Sequence, residues 1–297
     1  MINFKWKPTL LVACLPAAFA LAQAPEKPVA PAAPAATAAP AAAAAPAAPA
    51  APEAPPEKAP NPPVPLMPAR IARGKQVYER FCISCHGENG DGRGYSAQWL
   101  NPQPRDFTRA IFKCRSTPSG TLPVDDDLMR TLREGLYHTN MPSWAVLGDR
   151  NMRDVVEYIK IFSPRWKEEG PGDSLSYAPE PADTPESRKK GQSVWNSQAC
   201  FNCHGQGGKG DGASVSTLFD DWGNHIVPFD FTSSPHRKCG NSDKDLYRTF
   251  LTGVNGTPMP SFADTLSPED AWHLVHFLKT LRVQKTEQNL FHTAMGK

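Results

Sequence analysis

The sequence predicts an all-α protein built from two tandem copies of one helical unit of about 95 residues. Three observations predict it. A set of residues recurs at a constant offset along the chain. Each copy holds three segments with the apolar spacing of an amphipathic helix. The copies are also set off from a preceding stretch, residues 24–65, that contains 14 Pro and 19 Ala among 42 positions.

The recurrence fixes the boundaries. Cys82-Ile83-Ser84-Cys85-His86 returns as Cys200-Phe201-Asn202-Cys203-His204, an offset of 118. Met141-Pro142-Ser143-Trp144 returns as Met259-Pro260-Ser261-Phe262 at the same offset of 118. Asp127-Leu128 and Gly135 return as Asp245-Leu246 and Gly253 in the same register, and Gly74 matches Gly191 with a slip of one residue. Arg105-Asp106-Phe107-Thr108 echoes Phe229-Asp230-Phe231-Thr232 at an offset of 124, so the second copy has the longer loop there. The copies are assigned to residues 69–163 and 184–283, with 164–183 as a Pro-containing linker and 284–297 as a tail.

Residues 1–22 read as an export signal: two lysines, then an apolar run ending in Ala20-Leu21-Ala22, a small-residue cleavage pattern. Leu11-Val12-Ala13-Cys14 also resembles a bacterial lipobox, so a cleaved soluble protein, a lipoprotein on Cys14 and an uncleaved anchor all stay open. Residues 23–68 carry too little apolar surface to offset the entropy of ordering, and their prolines forbid a long helix. They read as a disordered, semi-extended linker. In the first copy the helices are expected over 69–82, 125–134 and 150–162. Acidic residues fill the first turn of the second of these, and Gly135 can end it. The second copy gives 186–199, 243–252 and 267–281, the last with Ser267 as N-cap and Pro268 in the first turn. Long loops rich in Gly, Asn and Pro separate the first two helices of each copy, so each unit needs a further apolar body to pack against.

Cys-x-x-Cys-His is the attachment pattern of c-type haem. Cysteines one helical turn apart reach the two vinyl groups on one edge of the macrocycle, and the adjacent His sits beneath the iron. A zinc site needs four ligands, and only three would be local here. A thioredoxin-type pair has no need of the His. The covalent attachment residues are thus Cys82, Cys85, Cys200 and Cys203, and the proximal ligands are His86 and His204. Met141 and Met259 each lie 55 residues after their His, in a Gly-x5-Met-Pro-Ser-aromatic loop, and are the expected sixth ligands. A lone Met is usually core, but this one is duplicated in register. The rival ligands His138, His225 and His236 have no repeat partner. His273 and His276, on the last helix, are expected at the surface or the core edge.

Cys82–Gly94 and Cys200–Gly212, each followed by a Met-Pro-Ser loop and a closing helix, resemble class I cytochrome c domains in tandem over 69–163 and 184–283. The resemblance implies helices wrapped around two haem c groups, each with an exposed edge. The stretch from Asp106-Phe107-Thr108 to Arg115-Ser116-Thr117, with Asp126-Asp127-Leu128, more loosely resembles dihaem cytochromes that serve bacterial respiratory oxidoreductase complexes. In the second copy Gly240-Asn241-Ser242 stands in place of Arg-Ser-Thr.

His/Met ligation raises a haem potential and fills both axial positions, which implies an electron carrier and not an enzyme. Dihaem thiosulfate dehydrogenases and peroxidases, the rival class, conflict with two repeated Met loops. Cys114 and Cys239 follow their Asp-Phe-Thr segments at similar distances; a bridge between them, two inert thiols and an iron ligand all stay open. The expected partners are a redox donor and acceptor of a membrane respiratory complex, and the expected location is the periplasm, soluble or tethered through the N-terminus. A formal net charge of +2 without clustered Lys/Arg gives no nucleic-acid footprint.

Overall fold

Helix signals and one pair of close-contact glycines set the architecture. A computed structural model describes residues 59–233 and 236–295, the side chains of 283–295 excepted. The expected signal segment with Cys14, and residues 23–58 of the Ala/Pro stretch, lie outside the described residues. In the first copy α1 (Pro68–Phe81) opens on a proline, where an N–H would have no partner. The single turn α2 (Ile83–His86) carries the Cys-x-x-Cys-His motif. Helix α3 (Asp125–Glu134) has three aspartates in its first turn, each worth about 0.3–1 kcal/mol against the helix dipole. It is followed by α4 (Gly148–Ile159) and the short α5 (Arg165–Glu168).

The second copy repeats the pattern with α6 (Pro185–Ser197), α7 (Phe201–His204), α8 (Asp243–Thr252) and α9 (Pro268–Met295). Thr184 caps α6 through the Ser187 amide, and Ser242 and Asp245 form a capping box on α8. The Ser267 hydroxyl accepts from the Asp270 amide at 3.0 Å at the start of α9. That helix runs well past the expected residue 281, because residues 282–295 contain neither Gly nor Pro to stop it. Among the described residues there is no β-strand, only the isolated bridges Leu122–Pro171 and Phe219–His225.

The two glycines related by the one-residue slip are the helix crossings. A Cβ on Gly74 would lie 2.0 Å from the Asp154 carbonyl oxygen, so α1 rests directly on α4. A Cβ on Gly191 would lie 1.9 Å from the His273 carbonyl oxygen, so α6 rests on α9 in the same way. Tyr78, Val155 and Tyr158 pack the first crossing, and Trp195, Trp272, Val275 and Phe277 the second. Each such side chain, fully buried, contributes about 1.5–3 kcal/mol.

One expectation needs correction. His273 and His276 are buried, not superficial: the Ser187 hydroxyl lies 2.7 Å from His273 Nδ1 and 2.6 Å from His276 Nδ1. A polar partner supplied by α6 is what lets two imidazoles sit inside the helix pair. Residues 164–183 are more than a spacer. Trp166 is buried in the core of the first copy, while Leu175 and Ala178 pack on that of the second.

The copies meet along a polar seam. The fully buried Arg115 donates from Nη2 to the Thr252 carbonyl at the end of α8, at 2.6 Å. His138 Nε2 lies 2.7 Å from the His236 carbonyl oxygen. Cys114 and Cys239 are joined in a disulfide with Cα atoms 5.1 Å apart at a sequence separation of 125. Closing so long a loop restricts the unfolded chain strongly, by about 2–5 kcal/mol. The double variant Cys114→Ser/Cys239→Ser is expected to lose that stability in guanidinium unfolding. A midpoint equal to that of the oxidised wild type would show that the bridge stabilises nothing.

Candidate functional site

The motif histidines are fixed from behind by a main-chain carbonyl. His86 Nδ1 lies 2.9 Å from the Arg105 carbonyl oxygen, and His204 Nδ1 lies 3.2 Å from that of Phe229. A carbonyl can only accept, so Nδ1 carries the proton and Nε2 keeps its lone pair for a ligand. Burial lowers the pKa of both imidazoles and favours the same neutral form. The ring of His86 stacks on Phe107 at 4.5 Å, and that of His204 tilts against Phe231 at 5.1 Å.

The repeated Asp-Phe-Thr segment explains where those carbonyls come from. Asp106 accepts from the Thr108 amide at 2.9 Å and its hydroxyl at 2.6 Å; Asp230 accepts from the Thr232 amide and hydroxyl, both at 2.7 Å. The turn presents the preceding carbonyl to the imidazole and the following Phe to its face. Cys82 and Cys200 lie one turn before each His, Cys85 and Cys203 directly precede it, and all four are unbridged and partly buried. Burial pushes the Cys82 thiol up to about 12 and that of Cys200 to about 11.

The methionine loops are built alike. The Leu136 amide donates to the Met141 carbonyl at 2.9 Å, and the Val254 amide to the Met259 carbonyl at 3.1 Å. Thr139 Oγ1 donates to the Leu136 carbonyl and accepts from the Met141 amide; Thr257 does the same for Val254 and Met259. Ser143 and Ser261 tie the loops back to the carbonyls of Arg133 and Leu251. These threonines were overlooked in the sequence, although they share the register of the methionines. Gly135 and Gly253 have φ of +70° and +67°, and a Cβ on either would come within 2.7 Å of the Met loop backbone.

In the first copy these parts converge on one apolar cavity with about 1260 Å³ of empty space, open solvent included, lined by Cys82, Cys85, His86, Met141, Trp144 and Val156 among others. In the second copy Cys200, Met259 and Phe262 pack partly buried on the Trp195–Phe277 cluster, against which His204 also leans. The rival histidines lie elsewhere. His138 faces the seam, and His225 Nε2 sits 2.9 Å from the Val215 carbonyl oxygen. Asp127 lies in the first turn of α3 and accepts from the Ser116 amide at 2.8 Å. Among the described residues no cluster of three or more His, Cys, Asp or Glu is placed to hold a metal ion.

Sequence reading also missed a group of cations at the cavity's edge. Arg105, Lys113 and Lys238 line it. The longer loop of the second copy places Trp222 under the Arg105 guanidinium at 4.4 Å, with Arg109 at 5.1 Å. Arg105 Nη1 is buried with no hydrogen-bond partner. Burial lowers Arg105 to about 10 and Lys113 to about 8, and lowers Lys238 as well. The one sequence signal was the change of offset from 118 to 124.

The family model described as cytochrome C oxidase, cbb3-type, subunit III matches residues 69–159 and again residues 186–278. The chain belongs to this family. It therefore consists of two cytochrome c domains in tandem, a class that binds haem c and transfers electrons. The cbb3-type cytochrome c oxidase subunit FixP of Azorhizobium caulinodans is 26% identical over 213 residues, or 71% of this chain and 59% of FixP. The chain thus spans well under two thirds of that relative. A solved structure, a chain of the Kuenenia stuttgartiensis reducing HAO-like protein complex, is 40% identical with a TM-score of 0.68, covering 70% of this chain and 95% of its own.

The residues present fit a covalent haem in the first cavity. Two thiols stand on one wall, an imidazole of fixed tautomer and a hydrogen-bonded thioether line the same apolar slot, and a buried guanidinium nitrogen lacks a partner. The loop glycines give a direct check on this construction. Gly135→Ala and Gly253→Ala are each expected to cost about 1–3 kcal/mol, since both φ and the close approach oppose a side chain. Denaturant titration of the purified protein measures it; unchanged midpoints would refute the tight loop packing.

Proposed function

We propose that the protein carries two covalent c-type haems with His/Met ligation and passes single electrons between partners of an extracytoplasmic respiratory chain. The observation that carries this reading is the doubled constellation: thiol pair, Nδ1-bonded His and hydrogen-bonded Met loop, in one register. Residues 69–163 form the first haem domain and 184–283 the second. Cys82 and Cys85 hold one group, Cys200 and Cys203 the other. When bound, each haem supplies an iron that cycles between the ferrous and ferric states.

The chain's own part is positional. His86 and His204 present Nε2, with Nδ1 held by the carbonyls of Arg105 and Phe229. Met141 and Met259 present soft thioethers that favour the reduced metal, on loops stiffened by Thr139, Thr257 and the following prolines. With His86 and Met141 holding one group and His204 and Met259 the other, the protein would leave no open coordination position for a substrate and would act as a carrier. Its partners are redox proteins of a membrane respiratory complex, a reading supported by its likeness to an oxidase subunit, FixP, and to a chain of the reducing HAO-like complex.

Haem staining of a denaturing gel and the intact mass are expected to show two haems per chain, and Met141→His to lower one of the two midpoint potentials. A mass short of two haems, or two unmoved potentials, overturns the reading.

The site of action is the periplasm, and the Ala/Pro segment acts as a tether that concentrates the domains at a membrane complex. No helix among the described residues is long and apolar enough to cross a membrane. The lipobox-like Leu11-Val12-Ala13-Cys14 supports Cys14 as the point at which the tether would be held. Fractionation of cells making wild type and Cys14→Ala is expected to move the protein from membrane to soluble periplasm. Wild type found wholly soluble, with Gln23 at its N-terminus, would remove the tether.

A further inference from the structure

The disulfide does more than close a loop. Each bridged cysteine follows a lysine, as Lys113-Cys114 and Lys238-Cys239. With the Cα atoms of the cysteines 5.1 Å apart, lysines from the two copies arrive at the same place. Both line the cavity of the first copy, beside Arg105. A symmetric duplication would have left one lysine to each copy.

The local charge does not balance. Among the described residues none of Arg105, Lys113 and Lys238 forms an ion pair with a carboxylate. The nearby acids make no direct pair with them: Asp221 lies 3.9 Å from Arg109, and Asp220 accepts from the Trp222 and Asn224 amides at 3.0 and 2.9 Å. The three cations also oppose one another, since Arg105 and Lys238 both add to the burial that disfavours charge on Lys113. Asp220 and Asp221 offset part of this charge, but neither pairs directly with Arg105, Lys113 or Lys238, so partly buried like charges this close together would be relieved by a bound anion.

We infer that Lys113 and Lys238, brought together across the two copies by the Cys114–Cys239 bridge, are the counter-charges for the two carboxylates of the haem in the first domain, with the Arg105 Nη1 group as third donor. The inference rests on the haem reading above and adds that a residue of the second domain tunes the cofactor of the first. Cations near an iron stabilise its less positive, ferrous state. Lys238 of the second copy lines the first cavity, and Phe229 stands in the second copy where Arg105 stands in the first, so the first cofactor is the one raised in potential.

The test is spectroelectrochemical titration of the matured full-length protein, with Met141→His identifying the step that belongs to the first domain. Lys113→Gln and Lys238→Gln are each expected to lower that step, the double variant to lower it further, and Lys113→Arg and Lys238→Arg to hold it, while the other step stays in place. Redox-difference infrared spectra are expected to shift the carboxylate bands of the same haem. The two single variants are independent, so one that fails to mature leaves the other to decide. Full haem content with an unmoved first step, or an equal fall of the second, overturns the inference and leaves the haem reading standing. Absence of covalent haem on Cys82 and Cys85 in the wild type overturns both.

Discussion

The hydrogen bond from His86 Nδ1 to the Arg105 carbonyl is the constraint on which most of the molecule depends. It fixes the tautomer, so that Nε2 faces the cavity as a base. It also ties down the long loop after the motif, which has little regular structure of its own. Because the anchoring residue is an arginine, the same position begins the contact between the copies: its carbonyl holds the site and its guanidinium covers Trp222 of the other copy. In the second copy the equivalent carbonyl belongs to Phe229, whose ring packs on Phe231 and receives His138 instead. One geometry therefore serves two ends, and the side chain at that position decides which.

Much of the site was legible because its parts are local or repeated. The Cys-x-x-Cys-His turns, the Met loops and the helix starts at Asp125, Ser242 and Ser267 are chemical signatures that act within a few residues. The offset of 118 joined them without any knowledge of the fold. What escaped was of another kind. The burial of His273 and His276 depends on a serine that is far away in sequence, and no period of α9 reveals it. The packing of Trp166, Leu175 and Ala178 inside a proline-containing segment depends on two cores being close enough to share a connector. Thr139 and Thr257 were visible in the register and went unread because threonine in a loop is common.

The seam shows how a duplication becomes an asymmetric pair. Some contacts keep the symmetry: Arg130 meets Asp127 at 3.3 Å and Arg248 meets Asp245 at 2.7 Å, both pairs in register. Others break it. Arg115 reaches the Thr252 carbonyl from the first copy, whereas Gly240 stands after the bridged cysteine of the second and offers nothing to reach with. The additional loop residues of the second copy supply Trp222, which is covered by cations of the first.

Domains joined by a modest polar interface usually move relative to one another. Here three devices oppose that motion, each acting at a different range. The disulfide fixes one point covalently. The buried Arg115 adds a charge-assisted hydrogen bond whose loss would leave a desolvated guanidinium. The connector packs on both cores and so removes the slack that a free linker would give. On the proposed reading, with a haem in each copy, such stiffness would serve electron transfer, because fixed neighbours need no search before each transfer. The polar character of the seam follows from the same need. An apolar interface of equal rigidity would also hold the copies together, but it would leave nothing to meet the charge of a group bound at the edge of the first cavity.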